Sequence, residues 1–366
     1  MSRIVVLSDV ALGYGSPQAI RIAVSLGYIY GTRPTILAPV GDDAASIIAQ
    51  ERNFDLIEIE TGEDLSSQSG QTAYSMLVGQ ALARLKPEVL VLCAFLAAPA
   101  LAYVKSKPKV TIFYAYEHTD DANVWQAQWI QAFSDRFDLV IYPEESRAAL
   151  DAPKLSIDRV PALILYNGSD LNLPIVAPGK RSGRVVYTGS LDQSRTGSAA
   201  MFAAADHLLP IDIFGRLDIP LTAEQKANPY LNYMGRVPAN LAFYTHIANA
   251  SASISLWLPK SQSTLFACPN KFFDSIALGT PPILGPHPQA ARIIRRFGCG
   301  VIASSFAPED IFSEARLILA NQDRDEYAAM IDACATAQRT WLSWSRQEVK
   351  LAAALKSLGL IQESRL

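Results

Sequence analysis

The sequence predicts an α/β protein built from two doubly wound parallel sheets, one in each half of the chain. Three observations carry this. Short runs of β-branched and apolar residues, such as Ile4–Leu7, Val89–Cys93 and Val185–Thr188, suit strands buried on both faces. Helix-period segments separate those runs, and such alternation calls for a parallel, helix-covered sheet. The alternation breaks once, at Asn167–Arg184, and then restarts. At 366 residues, each half is long enough to bury its own core.

Composition narrows the function. Half the residues are hydrophobic and 18% are charged, as in a globular chain rather than a disordered one. A net charge of −3 gives no reason to expect nucleic acid as a partner. Cys93, Cys268, Cys299 and Cys334 are far apart, without metal-type spacing, and read as reduced thiols of a cytoplasmic protein. The chain opens on a strand, Arg3–Leu7, with no visible signal peptide. Its longest apolar run, Val89–Val104, contains Pro99 and is too short to span a bilayer. A peripheral address at the inner face of a membrane stays open.

In the first half, strand Ile4–Leu7 leads through a loop with Gly13 and Gly15 into a helix over Pro17–Tyr30, with Ile20, Val24 and Gly27–Tyr28 facing inward. Strand Thr35–Leu37, helix Asp43–Arg52, strand Leu56–Ile59 and helix Tyr74–Leu85 follow. Val89–Cys93, Val110–Tyr114 and Leu139–Tyr142 complete the set of strands. The Gly13/Gly15 loop lacks the third glycine of a dinucleotide fingerprint and the Lys-Ser/Thr of a P-loop, so it reads as a flexible strand-to-helix turn or the lining of an acceptor site. Residues 1–166 form this first domain. Asn167–Arg184, rich in Pro, Gly, Ser and Asn, reads as the linker.

The second domain is expected over 185–340. Strand Val185–Thr188 is followed by the loop GSLDQSRTGS and a helix from Ala199 to about Leu208. Strands Ile211–Phe214 and Leu231–Met234 end at Gly215 and Gly235, and helix Ala239–Ala248 leads to strand Ala252–Leu256. After Gly300–Ala303 come helices Pro308–Ala320 and Asp325–Cys334. In such sheets ligands bind at the carboxyl ends of the strands, here a cleft between two domains.

The most informative stretch is Ser261–Gly285, SQSTLFACPNKFFDSIALGTPPILG. It reads as a polar loop, a helix entered at Pro269 and Asn270, a stop at Gly279 and Pro281–Pro282, and a buried strand. Asn270 can cap the free N–H groups. A helix mouth with Lys271 in its first turn can receive a phosphate, and Asp274, one turn on, can accept hydrogen bonds from ribose hydroxyls. The plain alternative is an exposed i,i+3 pair of Lys271 and Asp274, contributing a few tenths of a kcal/mol.

PNKFFDSIALGTPPILG resembles the donor-binding signature of GT-B glycosyltransferases, of the broad glycosyltransferase family four and its relatives. The resemblance extends to RVVYTGSLDQSRTG, DIFGRLD, the block from Asn228 to Pro259 and DLVIYPEESRAAL, in order over about 300 residues. It implies that Lys271 meets the diphosphate of a nucleotide-sugar and Asp274 its ribose, with Asn270, Gly189 and Arg195 also on the donor side. Gly13 and Gly15 would face the acceptor. The sequence departs from the pattern twice: the helix acid is shortened to Asp274, and the earlier Glu is replaced among Phe266 and Ala267. The implied substrate is a nucleotide diphosphate-sugar, with no cofactor and no metal, and the acceptor a glycan or lipid-linked glycan.

An inverting transfer also needs a base for the acceptor hydroxyl. TIFYAYEHTDD follows a strand and gathers Glu117, His118, Asp120 and Asp121, and Glu117 best matches the carboxylate of inverting GT-B relatives. A helix cap or a partnered polar cluster is the plain alternative for Glu117 and His118, and Glu144 and Glu145, after strand Leu139–Tyr142, read either as acceptor contacts or as surface helix-start acids. His207, His246 and His287 lie singly, and the DRD at Asp323–Asp325 reads as a solvated turn. Over 341–366, Trp341 and Trp344 precede a helix with Val349, Leu351, Ala352, Leu355 and Leu358 as its apolar stripe, expected to cross back to the first domain. The expected activity is sugar transfer in surface-glycan synthesis. A hydrolysing nucleotide-sugar epimerase and a silent glycan- or nucleotide-binding partner protein are the alternatives.

Overall fold

The computed structural model describes residues 3–13, 17–41, 44–122, 124–193, 196–197, 202–203 and 208–361. The chain divides into two compact units, Met1–Tyr166 with Glu348–Leu366, and Asn167–Gln347.

The first unit is built on a seven-stranded parallel sheet in the order β3-β2-β1-β4-β5-β6-β7. The strands are β1 (Ile4–Leu7), β2 (Thr35–Pro39), β3 (Asp55–Ile59), β4 (Val89–Cys93), β5 (Val110–Tyr114), β6 (Leu139–Tyr142) and β7 (Ala162–Ile164). The central strands are buried along their whole length, as their unbroken apolar runs require. Val5 pairs with both Thr35 and Leu90, so strand order reverses about β1 and the carboxyl ends of β1 and β4 diverge. Strand β7 lies beyond the last strand read from the sequence; at three residues and half-exposed, it gives little apolar signal.

Two helices of this unit depart from expectation for local reasons. The third helix begins at Gln68 rather than Tyr74, because Ser67 caps it by accepting from the Gly70 N–H at 3.1 Å. On helix Pro17–Tyr30 the buried face is Ala19, Ile22, Ala23, Leu26 and Ile29, while Tyr28 is exposed. The final helix, Trp344–Ser357, contributes Leu351, Ala352 and Leu355 to the first unit's core, and Tyr30 donates to the Leu360 carbonyl at 3.1 Å. Val349 is 64% exposed and does not belong to that stripe, since it sits about 200° around the helix from Leu351.

The second unit carries a six-stranded parallel sheet ordered β10-β9-β8-β11-β12-β13. Its strands are β8 (Val185–Thr188), β9 (Ile211–Phe214), β10 (Leu231–Gly235), β11 (Ala252–Ser255), β12 (Pro282–Leu284) and β13 (Val301–Ile302). Order reverses about β8, which pairs with β9 on one side and β11 on the other. Most of the helix expected over Ala199–Leu208 lies outside the described residues.

The stretch expected as a linker, 167–184, belongs to this unit. Arg181 is buried within it and donates to the carbonyls of Val176, Ala248, Ala250 and Gly279 at 3.0, 3.2, 2.7 and 2.8 Å. A guanidinium cannot shed its charge, so carbonyl dipoles take the place of a carboxylate.

Candidate functional site

The first cluster lies at the carboxyl edge of the second sheet. Strand β8 runs into Gly189, whose φ of 120° is open to glycine alone. Its N–H donates to the Phe214 carbonyl at 2.8 Å, and Gly215 backs it so closely that a Cβ there would stand 1.8 Å from the Gly189 oxygen. Two glycines therefore let the loop after β8 lie flat across the end of β9.

Over this loop comes the first turn of the helix Asn270–Ala277. Phe272, Phe273, Ile276 and Ala277 are buried, which fixes the helix and turns Lys271 toward the strand end. The Lys271 ammonium stands 4.0 Å from the centre of the Tyr187 ring and 3.6 Å from where a Gly189 Cβ would be. The residue as a whole is only half-buried, but burial of its ammonium pulls the pKa from 10.5 to about 7. Among the described residues no carboxylate lies within ion-pair distance of it. The aromatic face offsets part of the lost solvation, by about 0.5–2 kcal/mol.

Pro269, not Asn270, occupies the capping position of this helix and offers no side-chain cap. The ring at that place fixes φ for helix entry and leaves Asn270 as the first helical residue. Asn270 Oδ1 is buried without a hydrogen-bond partner among the described residues. Asp274 is half-buried one turn on. His287, before the helix Pro288–Phe297, donates from Nδ1 to the Leu265 carbonyl at 3.0 Å. Burial, and next the Lys271 charge, holds its pKa down. The polar loop expected before Pro269 contains a short helix, Gln262–Leu265, closed by a Ser261/Thr264 capping box. A desolvated lysine beside a glycine turn and a helix mouth can receive an anion of phosphate type.

The second cluster lies at the carboxyl edge of the first sheet, where β1 and β4 diverge. Asp9, two residues past β1, is half-buried and accepts a hydrogen bond from the Tyr116 hydroxyl. Burial pushes its pKa up to about 6, against the opposing pull of that bond. Cys93 and Tyr74 are its other titratable neighbours, and both are themselves pushed up by burial. Tyr74 also donates to the Ser8 carbonyl at 2.8 Å.

The segment after β5 separates Glu117, His118 and Asp120 from one another in their surroundings. Glu117 is exposed. His118 has no exposed surface: its Nδ1 lies 3.2 Å from the buried Asp151 carboxylate, and burial is the main force lowering its pKa. Asp120 is exposed and paired with Lys154 at 2.7 Å, where the hydrogen bond from Lys154 lowers its pKa. Glu144 is buried rather than a surface acid, accepting from the Ser146 N–H at 3.0 Å, and burial raises its pKa. Arg147, beside it, donates to the Tyr116 carbonyl. Gly13 is described, with φ of 147°, whereas Gly15, Arg195 and His207 lie outside the described residues.

No family profile and no curated protein sequence matches the chain. Solved structures do. A glycosyltransferase from Rickettsia africae ESF-5 is 12% identical with a TM-score of 0.68, over 99% of this chain and 100% of its own. Anabaena HepE, solved with UDP and glucose, is 13% identical with a TM-score of 0.69, over 98% and 100%. WaaG, a glycosyltransferase involved in lipopolysaccharide biosynthesis, is 12% identical with a TM-score of 0.66, over 98% and 100%. The fold is GT-B.

Within this GT-B chain the predicted residues fall into two groups. Gly189, Asn270, Lys271 and Asp274 stand at one sheet edge, joined there by Tyr187 and by Gly215, which sequence reasoning read only as a strand end. Gly13 and the segment from Glu117 to Asp120 belong to the other sheet, together with Asp9 and Tyr116, which were also missed. Among the described residues, no helix is long and apolar enough to cross a membrane.

Proposed function

We propose that the protein is a glycosyltransferase that moves a sugar from a nucleotide diphosphate-sugar to a glycan or lipid-linked acceptor, as a member of the family-four branch. The observation that carries this reading is Lys271: a desolvated ammonium without a carboxylate partner among the described residues, held over Gly189 at the mouth of a helix. HepE has been solved with UDP, with UDP and glucose, and with UDP-glucose, which supports a UDP-sugar as donor here. In this reading Lys271 and the helix N–H groups neutralise the diphosphate as it leaves, and Asn270 Oδ1 and Asp274 accept from the donor's hydroxyls. Gly189, with Arg195 in the same loop, approaches the phosphates, and charge neutralisation by these groups makes turnover independent of a divalent metal.

For the acceptor, Glu117 and Asp9 are the proton acceptors to be compared. Burial brings the Asp9 pKa up to about 6, and Glu117 has the greater access to solvent. His118, fully buried against Asp151, acts by holding the turn that presents Glu117 and Asp120, and Gly13 and Gly15 line the acceptor side. A second reading, a catalytically silent nucleotide binder, draws support from Phe266 and Ala267 where the resemblance implies a sugar-contacting Glu.

The test is incubation with a panel of UDP-, GDP- and ADP-sugars, with and without lipid-linked or free glycans. A transferase releases nucleoside diphosphate, faster with acceptor. A silent binder shows a thermal shift and no release, and an epimerase of the hydrolysing type releases nucleotide without needing an acceptor.

A further inference from the structure

The helix Pro288–Phe297 buries Ala290, Ala291, Ile293 and Ile294 and presents Arg292, Arg295 and Arg296 on its exposed face. Arg339 and Arg346 are exposed beside it: Arg346 Nε donates to the Arg339 carbonyl at 3.2 Å. Trp341 ties the two segments together, with its ring 4.2 Å from the Arg296 guanidinium and 5.6 Å from the Phe297 ring. Five arginines and two half-buried aromatic rings thus share one surface in a chain of net charge −3. Among the described residues, no carboxylate stands within ion-pair distance of Arg295, Arg296, Arg339 or Arg346.

Helix stability explains only part of this. Arg295 and Arg296 lie in a last turn, where cations are favoured. Arg292 and Arg296, however, are like charges at i,i+4, a destabilising spacing. Arg346 stands in the first turn of the helix Trp344–Ser357, the end that disfavours cations. Arg295, Arg296, Arg339 and Arg346, with no carboxylate beside them among the described residues, form a cationic surface that an external anion would neutralise.

We propose that this arginine–tryptophan surface docks the protein on a bilayer containing anionic phospholipid. Guanidinium groups meet phosphate oxygens in paired hydrogen bonds, and an indole with a partly exposed face suits the headgroup layer. A soluble polyanion would use the arginines without needing Trp341, which is why a bilayer is the favoured occupant.

The full-length protein is sedimented with vesicles of phosphatidylcholine alone and of phosphatidylcholine mixed with phosphatidylglycerol. The wild type should bind the mixed vesicles at low salt, lose them at high salt and ignore the neutral ones. Arg339→Gln with Arg346→Gln should weaken partitioning roughly 10- to 30-fold. Lys105→Gln with Lys180→Gln, two exposed lysines elsewhere, removes the same charge and should leave it close to wild type. Trp341→Phe should weaken vesicle binding without changing retention on dextran sulfate. Absence of binding to anionic vesicles at low salt, or equal loss in the two paired variants, overturns the proposal. So does a wild type that binds dextran sulfate but not vesicles. The readout is partitioning, so it stands apart from sugar transfer.

Discussion

Each sheet edge holds a titratable group whose pKa burial has brought close to neutrality, from opposite directions. At the second sheet Lys271 falls from 10.5 to about 7, and at the first Asp9 rises from 3.8 to about 6. The cause is the same, since removing water disfavours whichever form is charged. The partners differ. Lys271 has an aromatic face and a glycine turn, a setting that gains most from an incoming anion. Asp9 has a tyrosine hydroxyl, a setting that keeps a carboxylate usable as a base near neutral pH. In the proposed reading, the second sheet supplies charge neutralisation and the first supplies proton acceptance.

That contrast breaks most visibly on the acid side. If Glu117 is the base, Glu117→Gln should lower the transfer rate roughly 10²–10⁴-fold while nucleotide affinity stays near wild type. If Asp9 is the base, Asp9→Asn should do so instead, and the acidic limb of the rate profile near pH 6 should disappear with it. Tyr116→Phe then sharpens the assignment: loss of its hydrogen bond should move that limb to higher pH, since the bond lowers the Asp9 pKa. Activity retained in both carboxylate variants would place the base elsewhere, or indicate retention with the leaving phosphate accepting the proton.

On the cation side the effects are smaller. Lys271→Ala should weaken nucleotide binding by about 1.5–3 kcal/mol, the loss of a charge-assisted contact. Lys271→Met should in addition stabilise the free protein. A lysine whose folded pKa lies below its unfolded value binds fewer protons when folded, so its cost is largest below about 7 and shrinks toward 10.5. The gain in melting temperature on substitution should accordingly be greater at pH 6 than at pH 8. The smallest expected effect is that of a chelator, which should leave turnover essentially intact. Loss of turnover with EDTA, restored by Mg²⁺ or Mn²⁺, would contradict neutralisation by Lys271 and the helix mouth.

The cation side was also the more legible in the sequence. Gly189, Asn270, Lys271 and Asp274 sit in short motifs where a strand, a glycine and a helix start follow one another, so local chemistry locates them. Asp9 gives no such signal. An acid after a strand looks like any loop acid, and its burial depends on Tyr116, distant by 107 positions. His118 shows the converse: its motif was visible, but its burial rests on Asp151, which belongs to a different helix. Most strands were legible because double-sided burial demands unbroken apolar runs, and β7 was not because it lies at the sheet's edge. Val349 was misread because apolar content alone does not fix helical phase.

The central claim is that Lys271 receives the diphosphate of a nucleotide donor, and calorimetric titration of UDP into wild type and Lys271→Ala tests it directly. At pH 8 the free lysine is largely neutral, so binding to wild type should draw a proton from the buffer. The measured heat should then vary with the buffer's ionisation enthalpy, and the affinity should tighten as pH falls toward 7. Lys271→Ala should bind more weakly and take up no proton at this site. UDP binding of equal strength in the two proteins, with no difference in proton uptake, would contradict the account.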